Sequence, residues 1–282
     1  MNAEPPYERQ SPLLKLAAYA LLLLTLAVLL FPFVEMISTS LKSRQDLTLY
    51  PPVWLPEKPL WQNYIDVWTI VPLATYVKNS FIIAGGATLL NALVAIPAGY
   101  ALARFNFPGR QTYLHFVVAT QMFSPVVLLL ATFRMMFSFG LLNTYWSVIL
   151  INATVTLPFT VWMLTAYFST VPKEIEEAAL LDNTGRWRML FDHFIPIAMP
   201  GIVTALTFAF VIAWNEFLFA VTFITDPALR PLTTGVYTFI GRTETQWNYL
   251  MAASLISVVP VFIGFLMVQR RLVAGLAAGA VK

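Results

Sequence analysis

Long hydrophobic runs, separated by short polar segments, dominate the chain. A helix needs about 20 mostly apolar residues to cross the hydrocarbon core of a bilayer. Six runs reach or approach that length, near residues 14–36, 78–103, 114–133, 144–168, 197–223 and 249–270. The fifth run is expected to continue as one helix past Glu216. The pattern therefore predicts an all-α membrane protein with six transmembrane helices in a single domain.

The composition indicates lipid as the solvent of these helices. Apolar residues make up 59% of the 282 residues and charged residues only 11%, whereas about a quarter of the residues in soluble domains are charged. The chain has no cysteine, and its two histidines, His115 and His193, are far apart in sequence. A metal site is therefore not expected. The net charge of +3 and the lack of a basic patch interleaved with aromatics argue against a nucleic-acid partner.

The basic residues predict the orientation of the spans. Six spans place both termini on one side of the membrane. With cytoplasmic termini, ten Lys and Arg residues fall in inner segments and seven in outer segments. This bias agrees with the positive-inside rule, so both termini are expected in the cytoplasm.

One charged segment, residues 169–196, lies between the fourth and fifth runs. Its central part reads "KEIEEAALLDNTGRWRMLFDHFIP" and predicts two short helices. Acidic residues occupy the first turn, where the helix dipole favours them. Asp182-Asn183 is expected to end the first helix, because Asn tolerates the left-handed conformation. Thr184 is expected to cap the second helix and Pro196 to end it.

The two predicted helices have different faces. Ile175, Ala178 and Ala179 form a narrow face of small residues at helical spacing. The second helix carries a bulky face of Trp187, Leu190, Phe191 and Phe194. Helices that lie on anionic membranes are usually basic, and the first helix is acidic. We therefore expect it to dock in the groove of a partner protein with Ala178 and Ala179 buried there.

This segment resembles the EAA loop of the permease subunits of binding-protein-dependent ABC importers. The pattern of that loop is E-A-A, three residues, G, nine residues, I-x-L-P. The matching positions are Glu177, Ala178, Ala179 and Pro196. The departures are Asn183 for Gly, His193 for Ile and Ile195 for Leu. Asn183 preserves a residue that can turn the chain.

Further stretches resemble the carbohydrate branch of these permeases: "FPGR", "GLLNTYW", "AWNEF" and "QRRLVAGLAAGAVK". The last is similar to the C-terminus of the second, smaller permease of maltose-type systems. The resemblance implies a permease core over residues 72–271 in a bacterial cytoplasmic (inner) membrane. It also implies a second homologous permease, two ATPase subunits that hold ATP and Mg²⁺, and an extracytoplasmic sugar-binding protein. No cofactor is expected in this chain, because it lacks the G-x-x-x-x-G-K-[ST] phosphate loop.

The resemblance also implies where the chain meets the ATPase pair. The 173–196 loop docks in a cleft of the ATPase, and the tail Gly279, Ala280, Val281 and Lys282 lies at the same interface. Asp182 and Arg186 flank the loop turn. They are expected to pair with each other or with the ATPase, or else to stay solvated.

Three polar residues in the spans are candidates for the translocation pathway. An ionised carboxylate at membrane depth costs about 2.5–3.5 kcal/mol on insertion scales, so Glu216 is expected to face protein or water. It either lines the pathway or forms a structural pairing near the outer interface. Asn152 and Asn215 have the same two interpretations, because polar residues between helices often only hold the helices together.

Two alternative functions require residues that an ABC permease does not need. A secondary transporter driven by an ion gradient needs ionisable residues deep in the spans, commonly paired, and only Glu216 is a candidate. An intramembrane enzyme needs Ser and His, paired Asp or His-rich metal ligands inside spans. The sequence shows no such set.

Overall fold

The computed structural model describes residues 12–241 and 244–280, and this part of the chain is helical without strands. The α-helices are α1 (Pro12–Ser40), α2 (Gln62–Ile70), α3 (Leu73–Arg104), α4 (Arg110–Ala119), α5 (Pro125–Ser138), α6 (Tyr145–Thr170), α7 (Lys173–Leu181), α8 (Arg186–Met189), α9 (Ile195–Trp214), α10 (Leu218–Phe223), α11 (Leu232–Val236) and α12 (Trp247–Ala280). Short 3-10 turns lie at Asp46–Thr48, Thr120–Met122, Pro227–Leu229 and Tyr237–Phe239, and a π-helical turn lies at Leu190–Phe194.

Five of these helical stretches are long and apolar enough to cross a membrane alone. They lie in α1, in α3, in α6, in α8 to α9 and in the first part of α12. A bent pair, Arg110–Met122 with Pro125–Ser138, makes a sixth if it is counted as one span. The predicted all-α membrane fold is therefore confirmed.

The third predicted span, 114–133, differs from a continuous helix. Its two halves are bent by 97° at a short break. Ser124 is extended, with ψ 133°, and Pro125 is at the start of α5. A proline disfavours the helical conformation of the residue before it and fits the first turn of a new helix. Pro125 therefore starts α5 rather than bending one long helix.

The fifth predicted span, 197–223, also differs. The helix begins earlier, at Arg186, and ends at Trp214. Phe217 has a non-helical φ of −126°, and α10 starts only at Leu218. The predicted continuation past Glu216 is therefore broken into two helices.

The described chain forms two compact units. The first unit holds α1, the segment that follows it as far as Val67, and Phe239–Leu255. Buried Asn63 donates to the carbonyls of Ser40 (2.8 Å) and Lys42 (3.1 Å) and accepts from Asn248 (3.3 Å). These bonds hold the loop after α1 against the start of α12.

The second unit runs from Trp68 to Thr238 and continues from Ile256. Its core packs α3, α6 and α9 together, with Tyr100, Leu164, Phe168, Phe194 and Ile202 among its buried members. A Cβ at Gly99 of α3 would lie 2.9 Å from Leu164 Cβ and 3.2 Å from the Thr165 backbone nitrogen. Only glycine allows α3 and α6 this close approach.

Candidate functional site

The candidate site is a helical hairpin formed by α7 and the start of the following helix. Helix α7 ends at Leu181, and Asn183 has the left-handed φ of 56° that its residue type predicted. Asn183 N–H donates to Leu180 O and Thr184 N–H donates to Ala179 O, both at 3.0 Å. This pair of bonds is a Schellman ending, so a local motif fixes the turn of the hairpin.

The second arm of the hairpin differs from the predicted separate helix. Gly185, and not the predicted Thr184, is its N-cap, and this glycine forms no side-chain cap bond. The helix runs from Arg186 through the π-helical turn directly into α9. Ile195 N–H donates to Leu190 O, five residues back. The wider turn accommodates Pro196, which has no N–H and crowds the carbonyl four residues before it, so Pro196 lies inside the helix and does not end it.

The two alanines of α7 do not share a surface. Ala179 is 5% exposed and packs in the core of the second unit, and half-buried Ile175 packs against the same core. Ala178 and Glu177 are exposed. The predicted narrow face is therefore turned mostly into the chain itself, because i and i+4 positions lie on one side of a helix. Only Ala178 of the two alanines remains available to a partner.

The exposed surface of the hairpin is instead formed by larger apolar side chains. Leu181 is 89% exposed, Trp187 68% and Phe191 59%, and Leu180 is also exposed. The Trp187 and Phe191 rings lie one turn apart and nearly parallel, at 24°. Leu190 and Phe194, which were predicted to lie on the same bulky face, are buried. We call Leu180, Leu181, Trp187 and Phe191 the hairpin surface.

Arg104, the last residue of α3, is a site residue that the sequence analysis missed. Its side chain is only 5% exposed. Nη2 donates to Phe168 O (3.0 Å) and to Val171 O, and Nη1 lies 3.7 Å from Glu176 Oε2. The guanidinium also lies 4.7 Å from the centre of the Phe194 ring. One side chain therefore contacts α6, α7 and the π-helical turn before α9.

Arg186 and Asp182 do not form the ion pair that was one of their predicted roles. Both residues are exposed, and no bond between them is found in the described part of the chain. The Arg186 guanidinium instead lies 4.5 Å from the centre of the Phe105 ring. Tyr100, Arg104, Glu176 and Arg186 line a cleft of about 430 Å³ beside the hairpin.

Glu216 and Asn215 lie at the break between α9 and α10. Glu216 Oε1 accepts from Phe219 N–H (2.6 Å) and Oε2 from Ala220 N–H (3.0 Å). These are backbone donors of the first turn of α10, which have no partner inside the helix. Glu216 O also accepts from the Thr233 hydroxyl at 2.7 Å. The Glu216 carboxylate therefore caps the first turn of α10 in this structure.

Asn215 is the exposed polar group of this break. Its amide donates to Val211 O at 2.8 Å, within its own helix. Phe217, two residues further along, packs its ring against that of Tyr237, with the ring centres 5.2 Å apart. Tyr237 is 49% exposed. An exposed amide and an exposed aromatic ring are the kinds of group that bind sugar hydroxyls and sugar faces.

Asn152 lies in the α3–α6 interface region and is 2% exposed. Its backbone carbonyl accepts from the Thr156 hydroxyl at 2.7 Å, and that hydroxyl oxygen accepts from Asn91 Nδ2 at 2.8 Å. Asn152 Nδ2 has no partner. Its burial favours the helix-packing interpretation over contact with a solute.

The predicted contact of the tail with an ATPase falls only partly on described residues. Gly279 and Ala280 belong to the end of α12, and Val281 and Lys282 lie outside the described residues. Within residues 12–241 and 244–280, no group of three or more His, Cys, Asp or Glu side chains is placed to hold a metal ion.

Comparison with known proteins identifies the family of a segment that includes the hairpin and most of the spans. The helical spans and the charged hairpin define a polytopic helical membrane protein. The chain belongs to the family Binding-protein-dependent transport system inner membrane component, which matches residues 95–277. The match begins within α3, later than the core predicted from residue 72, and reaches the last helix.

Two relatives and one solved structure describe the similarity. The chain is 37% identical to the sulfoquinovosyl glycerol transport system permease protein SmoH of Agrobacterium fabrum, over 90% of this chain and 89% of the relative. It is 34% identical to the trehalose/maltose transport system permease protein MalG of Thermococcus litoralis, over 90% and 92%. A bacterial ABC transporter for import of the acidic polysaccharide alginate shares the fold, with a TM-score of 0.81 at 21% identity over 95% of this chain and 100% of that chain.

Proposed function

We propose that this chain is the permease subunit of an ATP-driven sugar importer, with the α7 hairpin as the element that binds the ATPase. The hairpin surface carries the proposal. It exposes four large apolar side chains on a hairpin whose other side is buried in the core of the spans: Leu180, Leu181, Trp187 and Phe191. Such a surface fits a groove in a partner protein, and the acidic first turn of α7 does not suit an anionic lipid surface.

The partners of the proposed assembly follow from the family. A second homologous permease completes the pathway, two ATPase subunits hold ATP and Mg²⁺, and an extracytoplasmic binding protein delivers the sugar. Both termini and the hairpin lie in the cytoplasm, in agreement with the distribution of Lys and Arg. The C-terminal tail, residues 279–282, lies beside the ATPase pair.

The proposed substrate is an oligosaccharide, a disaccharide or a related polyol or glycoside. The relatives named for sulfoquinovosyl glycerol and for trehalose and maltose support this class. Asn215 is the pathway residue that we favour in this chain, because its exposed amide interrupts an apolar span. Exposed polar groups at membrane depth face water or protein rather than lipid.

The alternative function, a secondary transporter driven by an ion gradient, depends on Glu216 as its candidate ion-binding residue. The Glu216 carboxylate accepts two backbone N–H groups of α10. These two bonds use one lone-pair position on each carboxylate oxygen for the backbone of the same chain, which supports a capping role for Glu216. The cap role therefore favours the ATP-driven importer.

Site-directed cross-linking tests the docking proposal. The chain contains no cysteine, so an introduced cysteine is its only thiol. One variant carries Leu181→Cys, and the control variant carries Leu55→Cys. Leu55 is also an exposed leucine, at 72%, in the loop after α1. In membranes that contain the complete assembly, a cysteine-to-amine cross-linker should join position 181 to the ATPase and leave position 55 free of it. Cross-linking of the ATPase to position 55 but not to 181 contradicts the proposed hairpin contact.

A further inference from the structure

Arg104 connects the hairpin to three spans at a single point. It ends α3, binds two carbonyls at the end of α6, pairs with Glu176 of α7 and lies over Phe194 before α9. We propose that Arg104 is a positioning residue that locks α7 to these spans, so that a push on α7 moves the spans with it. This inference rests on the proposed function, in which the ATPase supplies the push.

The chemistry of arginine explains how one side chain makes all these contacts. The guanidinium is planar and has five N–H donors in a fixed geometry, so it can bond carbonyls and a carboxylate at once. Its flat face also stacks on an aromatic ring. A lysine at the same position keeps the charge, but one ammonium group cannot reproduce the spread of these contacts.

Burial makes the connection stiff. The Arg104 side chain is 5% exposed and Glu176 is 25% exposed. Separation of a buried pair leaves a charge without its partner in a medium of low polarity, which is unfavourable. If α7 tilted away from the spans, Arg104 would lose Glu176 and remain buried. The electrostatic cost therefore opposes movement of α7 relative to α3.

Other contacts hold α7 less firmly. Ala179 contributes only a methyl group to the core, and Ile175 is half-buried. Leu180 and Leu181 are exposed. Among the ion pairs found in residues 12–241 and 244–280, the Arg104–Glu176 pair is the one that involves α7. The small apolar contact of α7 therefore leaves Arg104 as its main polar attachment to the spans.

The test measures the ratio of sugar transported to ATP hydrolysed in the complete assembly in proteoliposomes. Arg104→Lys should retain the ATPase and hydrolyse ATP, while sugar transported per ATP falls about fivefold or more, within the usual range of coupling between sites. Glu176→Gln should lower the same ratio, because it removes the ion pair and leaves the Arg104 bonds to α6 in place. The matched controls are Arg134→Lys and Glu57→Gln, the same exchanges at exposed positions outside the hairpin. Both should keep the parent ratio.

A purely structural role of Arg104 gives a different result. In that case Arg104→Lys lowers expression, ATPase retention, hydrolysis and transport together. The ratio of sugar transported to ATP hydrolysed then stays at the parent value in both variants, and this result overturns the inference. If Arg104→Lys does not assemble, Glu176→Gln alone decides between the two results. A parent assembly that hydrolyses ATP without moving sugar refutes the proposed function instead.

A distance measurement adds a readout of position. Spin labels at Lys173→Cys in α7 and Asn106→Cys after α3 report how these two elements move relative to each other. Both positions are exposed. In the otherwise unchanged assembly the distance should stay the same on addition of ATP, whereas Glu176→Gln should shift or broaden it. An equal distance distribution in both proteins, with and without ATP, contradicts the proposed lock.

Discussion

Leu181→Ser should weaken binding of the ATPase without destabilising the permease. The Leu181 side chain is 89% exposed at the end of α7, so the substitution removes almost no contact inside the chain. Complete burial of a leucine contributes about 1.5–3 kcal/mol. Burial of the exposed 89% of Leu181 by a partner would therefore contribute about 1.3–2.7 kcal/mol to the binding free energy. This corresponds to a roughly 10- to 80-fold change in affinity.

The assay is a titration of purified ATPase onto tagged permease in detergent, with the permease partner present. The midpoint of thermal unfolding of the permease is measured alongside it. Leu55→Ser is the matched control, since Leu55 is 72% exposed and lies in the loop after α1. It should leave both the ATPase titration and the unfolding midpoint at their parent values.

Two results would refute the reasoning. An ATPase titration of Leu181→Ser that overlays the parent curve means that the hairpin surface is not the contact. A large fall in its unfolding midpoint means that Leu181 supports the fold, in spite of its exposure.

Four further predictions concern other parts of the chain. Ala179→Trp should lower the unfolding midpoint, because an indole does not fit a core position that is 5% exposed, and overpacking costs about 1–3 kcal/mol. Gly99→Leu should destabilise the chain by a similar amount of about 1–3 kcal/mol, because its Cβ would lie 2.9 Å from Leu164 Cβ. Glu216→Ala should speed hydrogen exchange of the first amides of α10, which lose their acceptors. Deletion of Gly279–Lys282 should lower ATP hydrolysis that is coupled to transport.

Each of these predictions has a clear contrary result. Ala178→Trp is the control for Ala179→Trp, because Ala178 is exposed; an equal loss of stability in both contradicts the assigned burial. Parent-like stability of Gly99→Leu contradicts the close approach of α3 and α6. Unchanged exchange at Phe219 and Ala220 contradicts the cap, and full coupling in the deletion variant shows that the tail is only an unattached end.

Local features of the hairpin could be predicted from residue types. Asn183 is left-handed and ends α7 as expected, because a helix ending depends on a few neighbouring residues. Helical spacing also indicated that Ile175 and Ala179 lie on one side of α7. Spacing alone did not tell which side packs inward, because burial depends on elements distant in sequence. Ala179 belongs to a buried cluster that also contains residues of α3, α6 and α9.

The contacts of Arg104 could not be predicted for the same reason. Its partners lie 64 to 90 positions further along the chain. A basic residue at the end of a membrane helix usually indicates only an anchor at the interface. The break before Pro125 is different: a proline restricts the residue before it, so the sequence did contain the signal that Ser124 leaves the helix.

The measurement that tests the central claim most directly is sugar uptake into proteoliposomes. One set contains this chain with the second permease, the ATPase pair and the binding protein, and another contains this chain alone. We expect concentrative uptake that requires ATP in the first set and none in the second under a proton or sodium gradient. Concentrative uptake by the chain alone under an ion gradient would contradict the account and identify a secondary transporter.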